Sequence, residues 1–198
     1  MFTAWLRRIA KVILDPLADG LVRLGPTANA VTLSGCVGTV LVSVLLVAHG
    51  RFFWGGTLFA LSSAVDALDG TLARRSSGPT AFGAFLDSVL DRVSESAVLL
   101  ALAWWYLGQD QTTYVLLAYV ALTGSFLVSY ARGRAESLGI ACKVGLFTRV
   151  ERCILLIAGM VLNRTELMLW ILAIGAMATA LHRVIYVYSH SKGKLLAL

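Results

Sequence analysis

Six long apolar stretches, parted by short breaks of small or polar residues, constrain this chain more than any other feature. They run near Val31–His49, Phe53–Leu72, Phe82–Leu107, Thr113–Tyr130, Val150–Leu162 and Leu167–Tyr188. A helix needs roughly 20 apolar residues to cross the hydrocarbon core of a bilayer. Only Val150–Leu162 is clearly short of that, so its helix begins earlier or crosses with little tilt. In lipid the backbone must satisfy its own hydrogen bonds, which leaves the helix as the spanning form for such stretches. Water is a poor solvent for the whole: 58% of the 198 residues are hydrophobic and 14% are charged, against about 25% charged in a soluble domain. The reading is an all-α integral membrane protein, with six transmembrane helices forming one unit over residues 26–198.

Ahead of that unit, residues 1–25 hold Trp5, Leu6, Ile9, Val12, Ile13 and Leu17 at helical spacing, with Arg7, Arg8 and Lys11 among them. This pattern predicts an amphipathic juxtamembrane helix lying on the membrane surface. It lacks the apolar run and small-residue cleavage site of a secretory signal. With the N-terminus in the cytoplasm, all 17 Lys and Arg residues except Arg51 and Arg164 fall on the cytoplasmic side. That asymmetry supports a multi-pass protein of the cell (inner) membrane, with both termini inside. The net charge of +6 comes with no basic run or recognition motif, so nucleic acid is not an expected partner. Membrane lipids and an anionic substrate are. Cys36, Cys142 and Cys153 are odd in number and show no CxxC spacing, which suggests neither a disulfide framework nor a zinc site. His49, His182 and His190 stand isolated and read as interface or packing residues, and Trp104, Trp105 and Tyr106 as an interfacial belt.

Four aspartates sit where an apolar chain should least tolerate them: Asp66 and Asp69 close the second stretch, and Asp87 and Asp91 open the third. One Asp at mid-membrane costs roughly 2.5–3.5 kcal/mol, and four unpaired at full depth on the order of 10 kcal/mol. Interfacial depth, counter-charges or bound cations must offset that. Residues three and four apart share a helix face. The turn at Ser76, Ser77, Gly78 and Pro79 folds the two helices antiparallel. The two acidic pairs then meet at one level, near the cytoplasmic face. Converging carboxylates repel unless metal lies among them. Hard oxygen ligands suit Mg²⁺, with Mn²⁺ as the alternative, and four of them can serve two ions. Intramembrane carboxylates also mark ion paths, which makes a membrane cation or proton transporter the rival from another class. A non-catalytic scaffold would leave the acids uncompensated.

Asp66, Asp69, Gly70, Ala73, Arg74, Gly83, Asp87 and Asp91 stand in the pattern D-x2-D-G-x2-A-R-x8-G-x3-D-x3-D. This resembles the signature of the CDP-alcohol phosphotransferase family, and the six-span layout resembles that family too. The resemblance implies transfer of a phosphatidyl group from CDP-diacylglycerol to an alcohol, with release of CMP. It implies metal binding by Asp66, Asp69, Asp87 and Asp91, with Asp91 also the general base, in a site facing the cytoplasm. CDP-lipid contacts would come from Asp66, Asp69, Gly70, Ala73, Arg74 and Thr80. Gly70 would leave room for the nucleotide beside the helix backbone, and Arg74 would pair with phosphate. Asn29, Ala30, Val31 and Thr32 resemble the family's T-P-[DN]-x-[VI]-T donor-site segment, with Ala28 where proline is usual. The family also implies a homodimer.

Cationic residues near the expected metal site suit an acceptor that bears phosphate. Ser129 to Glu136 closes the fourth stretch, Arg149-Val150-Glu151-Arg152 opens the fifth, and Arg183 lies in the sixth. The first two resemble the S-Y-x-K-A-R-A-E and R-x-E-R segments of phosphatidylinositol-phosphate synthases, with Arg132 for lysine and Gly133 for alanine. By that resemblance Arg132, Arg152 and Arg183 bind the phosphate of a phosphorylated polyol, inositol phosphate. Glycerol 3-phosphate, the acceptor of phosphatidylglycerol-phosphate synthases, is the alternative because it presents the same group.

Overall fold

The structure is a computed structural model that describes residues 27–75 and 80–191, with the side chains of residues 28 and 65–75 outside that description. The surface helix expected over residues 1–25 lies outside the described residues. Among those described, the long elements are α1 (Ala28–Leu45), α2 (Phe52–Arg75), α3 (Ala81–Leu107), α4 (Thr112–Ser137), α5 (Arg149–Val161) and α6 (Thr165–Ser191). A 3₁₀ turn, Val47–His49, joins α1 to α2, and Gly50 ends it in the left-handed region at φ 72°. The six apolar stretches are thus helices, displaced by a few residues at most ends. The largest difference is in α4, which runs past Tyr130 to Ser137. Its added turns carry their own i,i+4 ion pair, Arg132 to Glu136 at 2.9 Å, which supports helix after the apolar run has ended.

Among the described residues, three helices are long and apolar enough to cross a membrane by length and composition: α1 with its turn (Asn29–His49), α4 and α6. Apolar side chains at helical spacing lie exposed on them, including Leu33, Val37, Leu41 and Val44 on α1 and Leu181, Val184 and Ile185 on α6. Such a surface suits lipid rather than water, and the chain is a membrane protein. Several hydroxyls within these helices bond back to their own backbone, as Ser43 does to the Thr39 carbonyl at 2.7 Å, and so impose no unsatisfied donor.

α1 lies against α2 and α3, α3 against α4, α4 against α6, and α5 against both α2 and α6. Val98, Leu99 and Leu102 of α3, Leu156 and Met160 of α5, and Leu169 and Leu172 of α6 fill the centre. Small residues let backbones approach where side-chain volume would hold helices apart. A Cβ at Gly124 of α4 would lie 2.8 Å from the Ala176 Cβ and 3.2 Å from the Met177 nitrogen of α6. Gly124→Val is therefore expected to destabilise the bundle by about 1–3 kcal/mol through overpacking. Thermal unfolding in detergent would read this as a lower midpoint, and an unchanged midpoint would refute the contact.

At 13 residues, α5 is about 20 Å long, well short of the roughly 30 Å hydrocarbon core. It starts at Arg149, only one residue before the apolar stretch. An irregular strap, residues 138–148, leads into it and lies against α6. The Phe147 ring covers Gly175, and the Phe147 N–H donates to Thr179 Oγ1 at 3.2 Å. Gly145 adopts φ 109° with Thr179 Cγ2 where a Cβ would stand. Buried polar groups of irregular backbone need hydrogen-bond partners, and two arginines supply some of them. Arg183 Nε donates to the Val144 carbonyl at 2.9 Å and Arg152 Nη1 to the Phe147 carbonyl at 3.1 Å.

Candidate active site

Two helix starts meet at one edge of the site. Thr27 caps α1, accepting from the Ala30 N–H at 3.3 Å, and Thr80 caps α3, accepting from the Gly83 N–H at 3.0 Å. A Cβ at Gly83 would stand 3.0 Å from Thr80 Oγ1 and 3.1 Å from Asn29 Oδ1. Asn29 and Thr80, both expected at the CDP-lipid, therefore flank the same glycine. The positive ends of two helix dipoles and their uncommitted N–H groups favour an anion beside them. Of the neighbouring expected residues, Ala30 is exposed while Val31 and Thr32 are buried.

One turn further along α3 come Asp87, half-buried, and Asp91, buried. They are four residues apart and share a face. Asp66, Asp69, Gly70, Ala73 and Arg74 belong to the last turns of α2, but their side chains lie outside the described residues. Asp91 meets α5 through Arg149, whose Nη2 stands 2.5 Å from Asp91 Oδ1. One turn deeper a second pair repeats the geometry. Arg152 grips Glu95 with two parallel bonds, Nε to Oε1 at 2.6 Å and Nη2 to Oε2 at 2.8 Å. Ser125 of α4 adds a third hydrogen bond to Glu95 Oε1 at 2.8 Å. Four residues on α3 and three on α5 advance about 6 Å and 4.5 Å, so the pairs form the rungs of a ladder between the two helices.

Above the ladder opens a cavity of about 390 Å³, lined by Asp91 together with Arg92, Arg132, Arg149, Arg152 and Arg183. Ser88, Ser129 and Glu136 complete much of its polar wall. All three arginines expected at the acceptor are here, beside the expected base. They differ in how far they are committed. Arg132 is half-exposed and holds only Glu136. Arg183 is buried and spends Nε and Nη1 on the carbonyls of Val144 and Val128, at 2.9 and 2.5 Å. Arg152 is the most committed, bound to Glu95 and to the strap. Five arginines around one small cavity suit a doubly charged phosphate, which accepts several hydrogen bonds from such forks.

A family model for CDP-alcohol phosphatidyltransferases matches residues 25–182. The chain belongs to that family. Among curated relatives of this CDP-alcohol phosphatidyltransferase, the phosphatidylinositol phosphate synthase of Mycobacteroides abscessus is 35% identical over 180 residues, covering 87% of this chain and 82% of the relative. The archaetidylinositol phosphate synthase of Methanothermobacter thermautotrophicus is 36% identical over 192 residues, covering 94% of both. Among solved structures, the Mycobacterium tuberculosis phosphatidylinositol phosphate synthase with CDP-DAG bound superposes with a TM-score of 0.87 at 30% identity, covering 94% of this chain and 99% of that one. The same enzyme in complex with manganese and citrate superposes with a TM-score of 0.86, covering 93% of each chain. The enzyme is thus a phosphatidyltransferase of the membrane, and a divalent metal suits it.

The residues of this CDP-alcohol phosphatidyltransferase fit such a metal as far as they are described. Asp87 and Asp91 present hard oxygen donors on one face of α3. No group of three His, Cys, Asp or Glu side chains forms among the described residues, where α2 contributes neither Asp66 nor Asp69. Glu95 and Ser125 are functional candidates that the sequence reading passed over. Glu95 was findable as a third acid on the Asp87–Asp91 helix, one turn on, once a partner was sought for Arg152. Ser125 carried no signal.

Proposed function

We propose that the protein transfers the phosphatidyl group of CDP-diacylglycerol to inositol phosphate, forming phosphatidylinositol phosphate and CMP. The observation that carries this reading is the single cavity in which Asp91 faces five arginines. The two relatives named above support the acceptor, since one is a phosphatidylinositol phosphate synthase and the other an archaetidylinositol phosphate synthase. The arginines would hold the acceptor phosphate, with Arg132, Arg152 and Arg183 as its ligands, so that a ring hydroxyl points at Asp91. Asp91 takes the hydroxyl proton. The freed oxygen attacks the β-phosphorus of the donor, and the bond to CMP breaks with its electron pair leaving on CMP. Asn29, Thr80 and the neighbouring segment Ala30-Val31-Thr32 would hold the donor's diphosphate and nucleotide beside the two helix starts. Gly70, Ala73 and Arg74 of α2 complete that side. Two divalent cations, Mg²⁺ or Mn²⁺, held by Asp66, Asp69, Asp87 and Asp91, would neutralise the diphosphate and the charge growing on CMP.

All six helices cross the membrane in this reading, with the site at the cytoplasmic face and two copies forming the enzyme. α3 can cross despite its acids because Glu95 and Asp91 are paired with arginine inside the protein. The same pairing argues against a cation path along α3.

The test is incubation of purified protein with CDP-diacylglycerol, Mg²⁺ and separate acceptors, followed by product mass. Inositol phosphate should yield phosphatidylinositol phosphate. Chelation should abolish transfer, and added Mg²⁺ or Mn²⁺ should restore it. A product from glycerol 3-phosphate alone would replace the acceptor, and full activity after exhaustive chelation would overturn the metal.

A further inference from the structure

We propose that Glu95 is a positioning residue for the acceptor, acting through Arg152 on the placement of Arg149. The inference rests on the transfer reading above. Glu95 is 4% exposed and accepts three hydrogen bonds, two from Arg152 and one from Ser125. A buried ion pair is a poor device for stability, because well-packed apolar residues usually do as well. What the Glu95–Arg152 pair supplies is geometry. The bidentate grip fixes both the position and the rotation of the Arg152 plane. Arg152 Nη1 is then aimed at the Phe147 carbonyl, two residues before α5 begins. This fixes the first turn of α5, and Arg149 is the residue that opens it. Arg149 is the guanidinium that reaches both the cavity and Asp91. Glu95 therefore sets the distance between Arg149, a further cation of the cavity beside the three expected ligands of the acceptor phosphate, and the carboxylate that meets the acceptor hydroxyl.

Glu95→Gln keeps the shape and removes the charge that holds Arg152. In the full-length detergent-purified enzyme with Mg²⁺, the KM for inositol phosphate is expected to rise about tenfold or more, with the KM for CDP-diacylglycerol within about twofold. Ser125→Ala, which only loosens Glu95, should raise the acceptor KM by about two- to fivefold. If Glu95 acts through Arg149, adding Glu95→Gln to Arg149→Gln should raise the acceptor KM little beyond the Arg149→Gln value. A merely structural Glu95 would lower kcat and leave both KM values alone, and that result would overturn the proposal. So would a parallel rise in both KM values. Should Glu95→Gln not fold, the Ser125→Ala acceptor KM decides: a rise supports the proposal and no change refutes it. Wild-type protein that transfers to no phosphorylated alcohol would defeat the transfer reading itself. Active wild type with an unmoved acceptor KM in the variants would defeat this inference alone.

Discussion

Asp91→Asn is expected to lower turnover at saturating substrates by about 10³-fold or more, since positioned proton transfer contributes about 10²–10⁴-fold and the variant also loses a charged metal ligand. Asn keeps the volume of Asp and a carbonyl oxygen that can accept from Arg149, so the ladder should stay in place. The charge left on Arg149 can be solvated, because its side chain is 37% exposed. Stability should therefore change little while transfer collapses. That separation is the point of the experiment. A variant that unfolds reports on the ion pair, whereas a folded and inert one reports on chemistry. Radiolabel transfer at saturating CDP-diacylglycerol and acceptor, beside thermal unfolding of the same preparation, measures both. Activity within about tenfold of wild type would remove Asp91 as the base.

The helices were legible because their cause is local. Apolar runs and small polar breaks set all six, and Thr27 and Thr80 carry the capping chemistry that starts α1 and α3. The Asp87–Asp91 face was legible for the same reason, as helical spacing alone places it. Asn163, a polar residue in the break between the fifth and sixth stretches, was not. The structure gives it a plain use, in the left-handed region at φ 52° closing α5. The strap before α5 was also hidden, because its partners are distant in sequence. Arg183 reaches back 39 residues to Val144 and 55 to Val128, and Arg152 reaches 57 to Glu95. Sequence could say that arginines in apolar stretches need partners. It could not say that carbonyls and Glu95 would take several of the donors of Arg152 and Arg183, leaving Arg132 the least committed of the three expected acceptor ligands.

Arg152→Leu should be the most destabilising single change near the site, at about 3–5 kcal/mol, because it strands a buried carboxylate. Glu95 is 5% exposed at its side chain and would keep only Ser125. The strap would lose the donor to Phe147 as well. The double variant Glu95→Leu/Arg152→Leu removes the stranded charge, and apolar replacement of a whole buried pair is often neutral or stabilising. Its unfolding midpoint should therefore recover most of the loss, a coupling that single-variant effects cannot produce by addition. Transfer should not recover with it. Two leucines can fill the volume between α3 and α5, but neither can hold the Phe147 carbonyl or the first turn of α5. The double variant should fold like the wild type and still bind acceptor weakly. If it remains as unstable as Arg152→Leu, the loss came from packing and not from the charge. If it regains both stability and acceptor KM, the ladder holds the helices together and does nothing for the substrate.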